Sequence, residues 1–288
     1  MEKKKELKDL NLLDRFLFAE AVEDPEILQD MLEIILGRDV VLKHLPQTEK
    51  EGRRAAWSRQ IRMDVWAMDE DEAIYDTEVQ KKNTYNLPRR TRLYNGLIDS
   101  KLLESGDIEY NRMNDVYIIM IMPFDLFGLG LYRYTFRMAC QEVPGLELDD
   151  GATRIFLNTR GTDPAGVSEE LIALLRYFED TSKEMAEHSS SGKILKMQKK
   201  IEQIRSSEEI GVKYMNAYEE RLLELQEARE EGLKEGREDG LREGLEKGLQ
   251  EGQKKASKAM AAELKKLGRP PEEISKVTKL SLKEIEAL

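Results

Sequence analysis

The sequence predicts an α/β fold, in which helices flank a mixed β-sheet, followed by a long helical C-terminal extension. Two stretches decide this class. Residues 60–80 contain two strand-like runs around the acidic turn DEDE, which indicates an antiparallel hairpin. Residues 88–122 then read as a helix followed by the apolar strand DVYIIMIM. A strand, a helix and a buried strand in this order predict parallel pairing of the two strands.

The segments on either side complete the predicted fold. Apolar residues recur at helical spacing within residues 13–35, where Pro25 separates two helices and Gly37 ends the second. The runs VVLKHL, LYRYTFRMA and TRIFLN predict further strands, and the chain reads as helical from about Val167 onward. The predicted domains are residues 1–187 for the α/β domain, 188–230 for a helical connector, 231–253 for a glycine-repeat helix and 254–288 for a small helical unit.

The composition excludes several classes of site. A net charge of −11 over 288 residues argues against a generally basic nucleic-acid-binding surface. The single cysteine, Cys140, and the two histidines exclude a disulfide framework and a Cys- or His-rich metal centre. Carboxylates must therefore hold any metal, which favours Mg²⁺, Mn²⁺ or Ca²⁺ over zinc. With neither a signal-peptide core nor a membrane-spanning run in the sequence, a cytoplasmic location is expected.

The predicted hairpin concentrates acidic residues. Strand alternation puts Asp76, Glu78 and Gln80 on one face of the second strand. A turn centred on Asp71 places Asp64 of the first strand opposite Glu78, whereas a shift of one residue separates these acids. Two facing carboxylates repel one another, and a divalent cation would remove this conflict and activate a water molecule for attack on a phosphoryl group. Gln80 would orient the water or the phosphate, because an amide cannot act as a base.

A basic stretch follows the hairpin directly. Residues 81–94 contain five basic residues and no acid, in a chain that is acidic as a whole. These basic residues are Lys81, Lys82, Arg89, Arg90 and Arg92. The arginines stand at a predicted helix start, where the helix dipole disfavours cations, so nucleic-acid phosphates are the expected partners. Tyr85 and Tyr94 offer rings on which bases could stack. The alternative is a solvated basic turn that balances the neighbouring acids.

The C-terminal part contains a low-complexity repeat. Glycines recur every four residues from Gly232 to Gly252, so they follow one stripe of a predicted helix, with Leu241 and Leu245 beside it. Each mid-helix glycine costs about 1 kcal/mol relative to alanine. The segment is therefore either a self-association helix that makes a homo-oligomer or a solvated linker helix. Residues 254–288 carry nine Lys or Arg against five Glu, which fits either a helix-turn-helix DNA reader or a capping helical unit.

Several of these segments together resemble the PD-(D/E)XK nuclease superfamily, and more narrowly its recombination-promoting nuclease and transposase branch. The runs DRFLFAEAVEDPEILQDMLEIILG, RMDVWAMDEDEAIYDTEVQ, LPRRTRLYNGLID and DVYIIMIMPFDLFGLG follow in the order of that branch. The Glu-Gly tail that ends in TKLSLKEIEAL also fits, so the resemblance covers nearly the whole chain. It implies a restriction-endonuclease-like sheet and a metal-dependent DNA endonuclease tied to recombination or mobile DNA.

The resemblance also implies roles for individual residues. Asp64 and Glu78 correspond to the metal ligands, for Mg²⁺ or for Mn²⁺ or Ca²⁺, and Asp14 in the first helix corresponds to an outer acid. Gln80 stands where the superfamily has a lysine, a departure that is usual in this branch and leaves the general base unassigned. The competing hypothesis is a catalytically inactive DNA-binding or oligomeric protein that retains the nuclease fold. No residue distinguishes a deoxyribonuclease from a ribonuclease.

Overall fold

The fold of the chain is seen in a computed structural model that describes residues 5–43, 47–52, 61–102 and 109–288. For residues 47–52, 61–65 and 101 the description covers the backbone alone. The chain forms two compact units, Met1–Tyr214 and Met215–Leu288. The candidate site residues named above all belong to the first unit.

The first unit contains a six-stranded mixed sheet within the described residues. Its strands are β1 (Gln47–Gly52), β2 (Ile61–Met68), β3 (Ile74–Val79), β4 (Val116–Met122), β5 (Arg133–Phe136) and β6 (Ala152–Asn158). They lie in the order β1-β2-β3-β4-β6-β5. β3 pairs antiparallel with β2 and parallel with β4, and β4 pairs parallel with β6. The predicted mixed sheet with a strand–helix–strand unit is therefore confirmed.

Nine α-helices lie in the described residues. They are α1 (Arg15–Val22), α2 (Pro25–Leu36), α3 (Leu87–Leu102), α4 (Glu169–Glu179), α5 (Lys183–His188), α6 (Gly192–Ser206), α7 (Glu208–Lys266), α8 (Pro271–Thr278) and α9 (Leu282–Glu286). The sequence signals at α2 act as expected. The Asp24 side chain caps its first backbone N–H groups, Pro25 opens it, and Gly37 ends it with a φ of 68°.

Helices cover the two faces of the sheet unequally. On one face, α1, α2, α4 and α6 form the larger hydrophobic core, which includes Tyr75 and Val79 of β3. On the other face, α3 packs in a smaller core that includes Ile74. Because side chains alternate along a strand, Asp76 and Glu78 share the Ile74 face and point toward the α3 side. Asp76 and Glu78 thus lie away from the larger core.

Two details of the sequence-based fold differ from the structure. Among residues 40–43 of the predicted strand VVLKHL, Leu42 makes only an isolated bridge to Asp69, and the rest of that run lies outside the described residues. The strand at this edge is instead β1, with the polar sequence QTEKEG. An edge strand needs only backbone pairing with one neighbour, here β2, so hydrophobic alternation does not mark it.

The first unit also extends beyond residue 187, where the sequence placed the end of the α/β domain. Helix α6 contributes Ile194, Met197 and Ile201 to the larger core, and all three are fully buried. A fully buried side chain of this size stabilises the fold by about 1.5–3 kcal/mol. The segment predicted as a connector therefore begins within the packed core.

The second unit contains the C-terminal part of α7 together with α8 and α9. Its small core consists of Ala261, Ile274, Leu280 and Ile285. Ser281 and Glu284 form a reciprocal capping box at the start of α9. The glycine repeat lies within continuous helix, and its neighbouring leucines are exposed. No helix in the described parts of the chain combines the length and the apolar character needed to span a membrane.

Candidate active site

The hairpin pairs in the register that the sequence analysis favoured. Val65 lies opposite Thr77 and Met68 opposite Ile74, so the turn is centred on Asp71. Continued by one residue, this register sets the backbone of Asp64 opposite Glu78. Asp64 belongs to β2, and its side chain lies outside the described part of the structure. Its role as a metal ligand remains a prediction.

Two acidic side chains lie buried in the middle of the sheet. Asp76 is 0% exposed and Glu78 is 3% exposed. Strands β2 and β4 flank β3, while α3 covers the face that both acids share. Carboxylates in such positions are costly to bury unless charges or hydrogen bonds compensate them, and clusters of this kind are frequent at functional sites. Asp76 has no predicted role as a metal ligand, yet the structure buries it more deeply than Glu78.

Arg90 of α3 joins two of the predicted catalytic residues. Its Nη2 atom donates to Oε2 of Glu78 at 2.6 Å and to Oε1 of Gln80 at 2.9 Å. The guanidinium carbon also lies 5.6 Å from the ring centre of Tyr94, one helical turn further along α3. Nε of Arg90 is buried and has no hydrogen-bond acceptor among the described residues. Nη2 therefore makes both of the hydrogen bonds that join this side chain to the described residues.

Tyr94 lies against the same acids. It is 5% exposed, and burial, followed by the negative charge of Glu78, raises the pKa of its hydroxyl well above the usual value. The hydroxyl therefore stays protonated, and the buried ring is not exposed for the base stacking expected from the sequence. Tyr85, in the loop before α3, is 89% exposed and keeps a ring available for stacking.

The residues that follow β3 tie the end of the strand to its surroundings. The backbone N–H of Gln80 donates to the carbonyl of Ile121 at 2.8 Å, and its side-chain Nε2 donates to the carbonyl of Lys82 at 2.7 Å. Nζ of Lys81 donates to Oδ2 of Asp14 at 2.8 Å. The other carboxylate oxygen of Asp14 caps α1. Asp14, the predicted outer acid, is thus linked to this strand end through Lys81.

Apart from Lys81, which pairs with Asp14, three of the predicted phosphate-binding residues are exposed. They are Lys82, Arg89 and Arg92. Within the described residues, no hydrogen bond or ion pair involves their side chains. They surround the start of α3, close in sequence to the Glu78–Gln80 strand end. Exposed cations beside a carboxylate-lined strand end are suited to holding a polyanionic backbone.

The donor groups fit a hard divalent cation. Asp76 and Glu78 supply carboxylate oxygens and Gln80 an amide oxygen, which are the ligand types that Mg²⁺ and Mn²⁺ take. The positive charge of Arg90 already lies on the Glu78 carboxylate. Among the described residues there is no group of three His, Cys, Asp or Glu side chains that could hold a metal by itself. The predicted ligand Asp64 would add a further carboxylate from β2.

The contact of Arg90 with Glu78 and Gln80 was not anticipated from the sequence. One signal could have indicated it, because Arg90 and Tyr94 are four residues apart and share a helix face. The apolar residues Leu87, Leu97 and Ile98 mark the buried side of α3. When that side packs against β3, Arg90 points toward the acids. Arg89 and Arg92 stay exposed to solvent.

The comparisons with known proteins agree with this architecture. No curated protein and no solved structure matches the chain significantly. The family model of the PD-(D/E)XK nuclease family transposases matches residues 13–230, about three quarters of the chain. The matched region includes α1, the hairpin with its acids, α3 and the whole of the parallel part of the sheet. The chain therefore belongs to the PD-(D/E)XK nuclease family transposases.

Proposed function

We propose that this protein is a divalent-metal-dependent DNA endonuclease that hydrolyses phosphodiester bonds and acts in recombination or on mobile DNA in the cytoplasm. The observation that carries the proposal is the buried carboxylate of Glu78 at the carboxyl end of β3, joined through Arg90 to Gln80. The carboxyl ends of strands are where open α/β sheets bind their ligands. Membership of a nuclease family supports the reaction type.

Each residue of the site has a role in this proposal. Glu78 and Asp64 hold the cation, which would be Mg²⁺, Mn²⁺ or Ca²⁺, and Gln80 orients the attacking water or the phosphate. The bound cation would polarise the phosphoryl oxygen and lower the pKa of a water molecule. Lys81, Lys82, Arg89 and Arg92 bind backbone phosphates and keep the DNA in register with the strand end. Tyr85 offers a ring to a base.

A cleavage assay tests the proposal. Supercoiled plasmid DNA is incubated with the purified protein and Mg²⁺, Mn²⁺ or Ca²⁺, beside Asp64→Ala and Glu78→Ala. The matched control is Glu72→Ala, since Glu72 is an exposed acid of the same hairpin that pairs with Lys43. We expect nicking by the wild type and the control, and its loss in both site variants. The same assay with an RNA substrate distinguishes a deoxyribonuclease from a ribonuclease.

The opposite outcome favours the competing function. If no cation supports cleavage, and calorimetry finds no cation binding even with DNA present, the protein is a DNA-binding or oligomeric member that has kept only the fold. In that case the basic residues of the C-terminal unit would carry DNA binding. Deleting residues 254–288 should then abolish a gel shift that the Glu78→Ala variant retains.

We also propose that the glycine-repeat part of α7 forms a homo-oligomer. Leu233, Leu241, Leu245 and Leu249 are 63–76% exposed beside the glycines. A Cβ atom built on any repeat glycine from Gly232 to Gly252 meets no described atom within 4 Å, so packing against the described residues does not require glycine there. Close approach of a second helix would require it. These two features together support helix–helix association of identical chains.

The oligomer proposal is tested by sedimentation velocity. We expect the wild type to sediment as an oligomer, and a Leu241→Ala/Leu245→Ala variant to shift toward the monomer. Leu267→Ala is the matched control, because Leu267 is equally exposed but lies beyond the repeat. A wild type that is monomeric at all concentrations, or a control that dissociates as far as the double variant, would contradict the proposal.

A further inference from the structure

The guanidinium group of Arg90 occupies the place where a cation is expected. Its Nη2 atom lies 2.6 Å from Oε2 of Glu78 and 2.9 Å from Oε1 of Gln80. These are two of the oxygen-bearing side chains that the proposed function assigns to the cation and its water. A guanidinium ion and a divalent cation on the same carboxylate repel one another, so each weakens the binding of the other. The two must therefore compete for Glu78.

Arg90 uses part of its hydrogen-bonding capacity toward the described residues. An arginine has five N–H donors in a planar fork, and it binds carboxylates and phosphates best through two parallel bonds. Arg90 uses Nη2 alone toward its two acceptors, and its buried Nε has no acceptor among the described residues. A buried donor without an acceptor costs about 1–3 kcal/mol. With respect to the described residues, the contact therefore leaves donors of Arg90 that a further acceptor could satisfy.

A phosphate of bound nucleic acid would be such an acceptor. The Arg90 side chain is 26% exposed, and it belongs to the first turn of α3, next in sequence to the exposed Arg89. A phosphate group held by Arg89 would offer oxygen pairs that match the guanidinium fork. Moving from Glu78 to such a phosphate would free the carboxylate oxygen and satisfy the unused donors.

From these observations we infer that Arg90 is an exchangeable counter-cation. Without a divalent cation it holds Glu78 and Gln80 and offsets the cost of the buried carboxylate. When a divalent cation binds Glu78, Arg90 moves to a phosphate oxygen of the nucleic acid. This inference rests on the proposed function, because it takes the cation and the phosphate from it.

Calorimetric titration with Mn²⁺ in the absence of DNA tests the competition. Arg90→Gln removes the charge, and we expect it to bind Mn²⁺ about tenfold more tightly, since a nearby like charge has been removed. Arg90→Met keeps the apolar stem against Tyr94 and serves as a second variant with the same expectation. Arg90→Lys keeps the charge and should bind as the wild type does. The matched control is Arg160→Gln, because Arg160 pairs with a glutamate, Glu179, elsewhere in the unit.

The outcomes separate this inference from the proposed function. Unchanged or weaker Mn²⁺ binding in both neutral Arg90 variants, with circular dichroism showing that they are folded, would overturn the competition. Absence of binding in every protein would overturn it too, because removing a competing charge should uncover the site. If the neutral variants bind Mn²⁺ more tightly but the wild type does not cleave DNA, the endonuclease proposal is contradicted and the competition at Glu78 is supported.

The proposed move of Arg90 to a phosphate is tested by DNA binding. DNA affinity is measured at several salt concentrations, with Ca²⁺ or with EDTA. Each phosphate contact contributes about one unit to the slope of log K against log salt. We expect Arg90→Gln to lower this slope by about one unit with Ca²⁺ present and to leave it unchanged in EDTA. Equal slopes for variant and wild type under both conditions would show that Arg90 never reaches a phosphate.

Discussion

Two glutamate–arginine contacts in the first unit differ in how fully they use the guanidinium group. At Glu179, Arg160 donates from Nε to Oε1 at 2.9 Å and from Nη2 to Oε2 at 3.2 Å. The hydroxyl of Thr159 adds a third bond to Oε1 at 2.6 Å. At Glu78, Arg90 donates from one nitrogen atom, which it shares with Gln80. The better-buried glutamate thus has the less complete arginine contact.

This difference separates a structural clamp from an exchangeable contact. The Glu179 contact joins the segment after β6 to the end of α4, and the guanidinium fork is matched to its carboxylate. In the proposed reaction, a divalent cation binds at the Glu78 contact and a DNA phosphate binds next to it. A side chain with unused donors can change partners at low cost, whereas a fully bonded one cannot. The bonding pattern, more than the distance, therefore distinguishes the two arginines.

The largest expected difference between the two contacts is in catalysis. Glu78→Gln should lower the rate of metal-dependent plasmid cleavage on the order of 10³-fold, because it removes a charge that positions the reacting groups. Glu179→Gln should leave the rate close to that of the wild type. Both rates are measured with Mn²⁺ under single-turnover conditions. An equal loss of cleavage rate in the two variants would show that the Glu78 and Glu179 contacts do not differ in their role in catalysis.

The next difference is in stability and its response to metal. In EDTA, Arg90→Gln should lower the free energy of unfolding by about 2 kcal/mol, because the buried Glu78 carboxylate loses a charged partner. Mn²⁺ should then stabilise this variant more than the wild type, because a ligand stabilises the state that binds it more tightly. Urea denaturation with EDTA or Mn²⁺ measures both effects. The same Mn²⁺ response in variant and wild type would argue for a fixed ion pair.

A substitution on the opposite face of β3 tests whether the strand itself is sensitive. Thr77 is fully buried next to Glu78, and its hydroxyl has no hydrogen-bond partner among the described residues. Thr77→Val keeps the shape and removes this group, so we expect it to raise the free energy of unfolding by up to about 1 kcal/mol. Cleavage should be unchanged. A large loss of cleavage would mean that any change in β3 disturbs the site.

The smallest effect concerns the pH dependence of the clamp. Burial alone would raise the pKa of Glu179, but hydrogen bonds from Arg160 and Thr159 outweigh it and lower the pKa below the usual value. The clamp therefore stabilises the fold above the pKa of an unfolded glutamate, and this contribution is lost as the pH falls through the folded pKa. Glu179→Gln should cost about 0.5–1 kcal/mol at pH 7, since Arg160 is largely exposed. The difference from the wild type should shrink as the pH falls through the lowered pKa of Glu179, as followed by urea denaturation.

Much of the first unit could be predicted because its signals are local. The turn residues around Asp71 fix the hairpin register, and Pro25 and Gly37 fix the bounds of α2. Parallel pairing of β3 and β4 follows from the intervening helix. The polar strand β1 could not be predicted, because its pairing uses backbone groups that carry no side-chain pattern.

The site was only partly predictable for a different reason. Alternation identified Glu78 and Gln80, but the partners of a side chain depend on which face of the next helix meets the strand. Arg90 and Arg92 read alike in the sequence, and only the packing of α3 turns Arg90 inward toward Glu78. The same packing buries Tyr94, which the sequence assigned to base stacking. Tertiary contacts of this kind leave no local signature.

The glycine repeat of α7 has a consequence for backbone dynamics. Each of its glycines weakens the helix by about 1 kcal/mol relative to alanine, and no described side chain packs within 4 Å of a Cβ built on them. The amide protons around Gly240 should therefore open and exchange with solvent sooner than those of the core strands. Association with a second copy would slow this exchange. Protein concentration should then set the deuterium uptake of the repeat, while the uptake of β4 stays the same at every dilution.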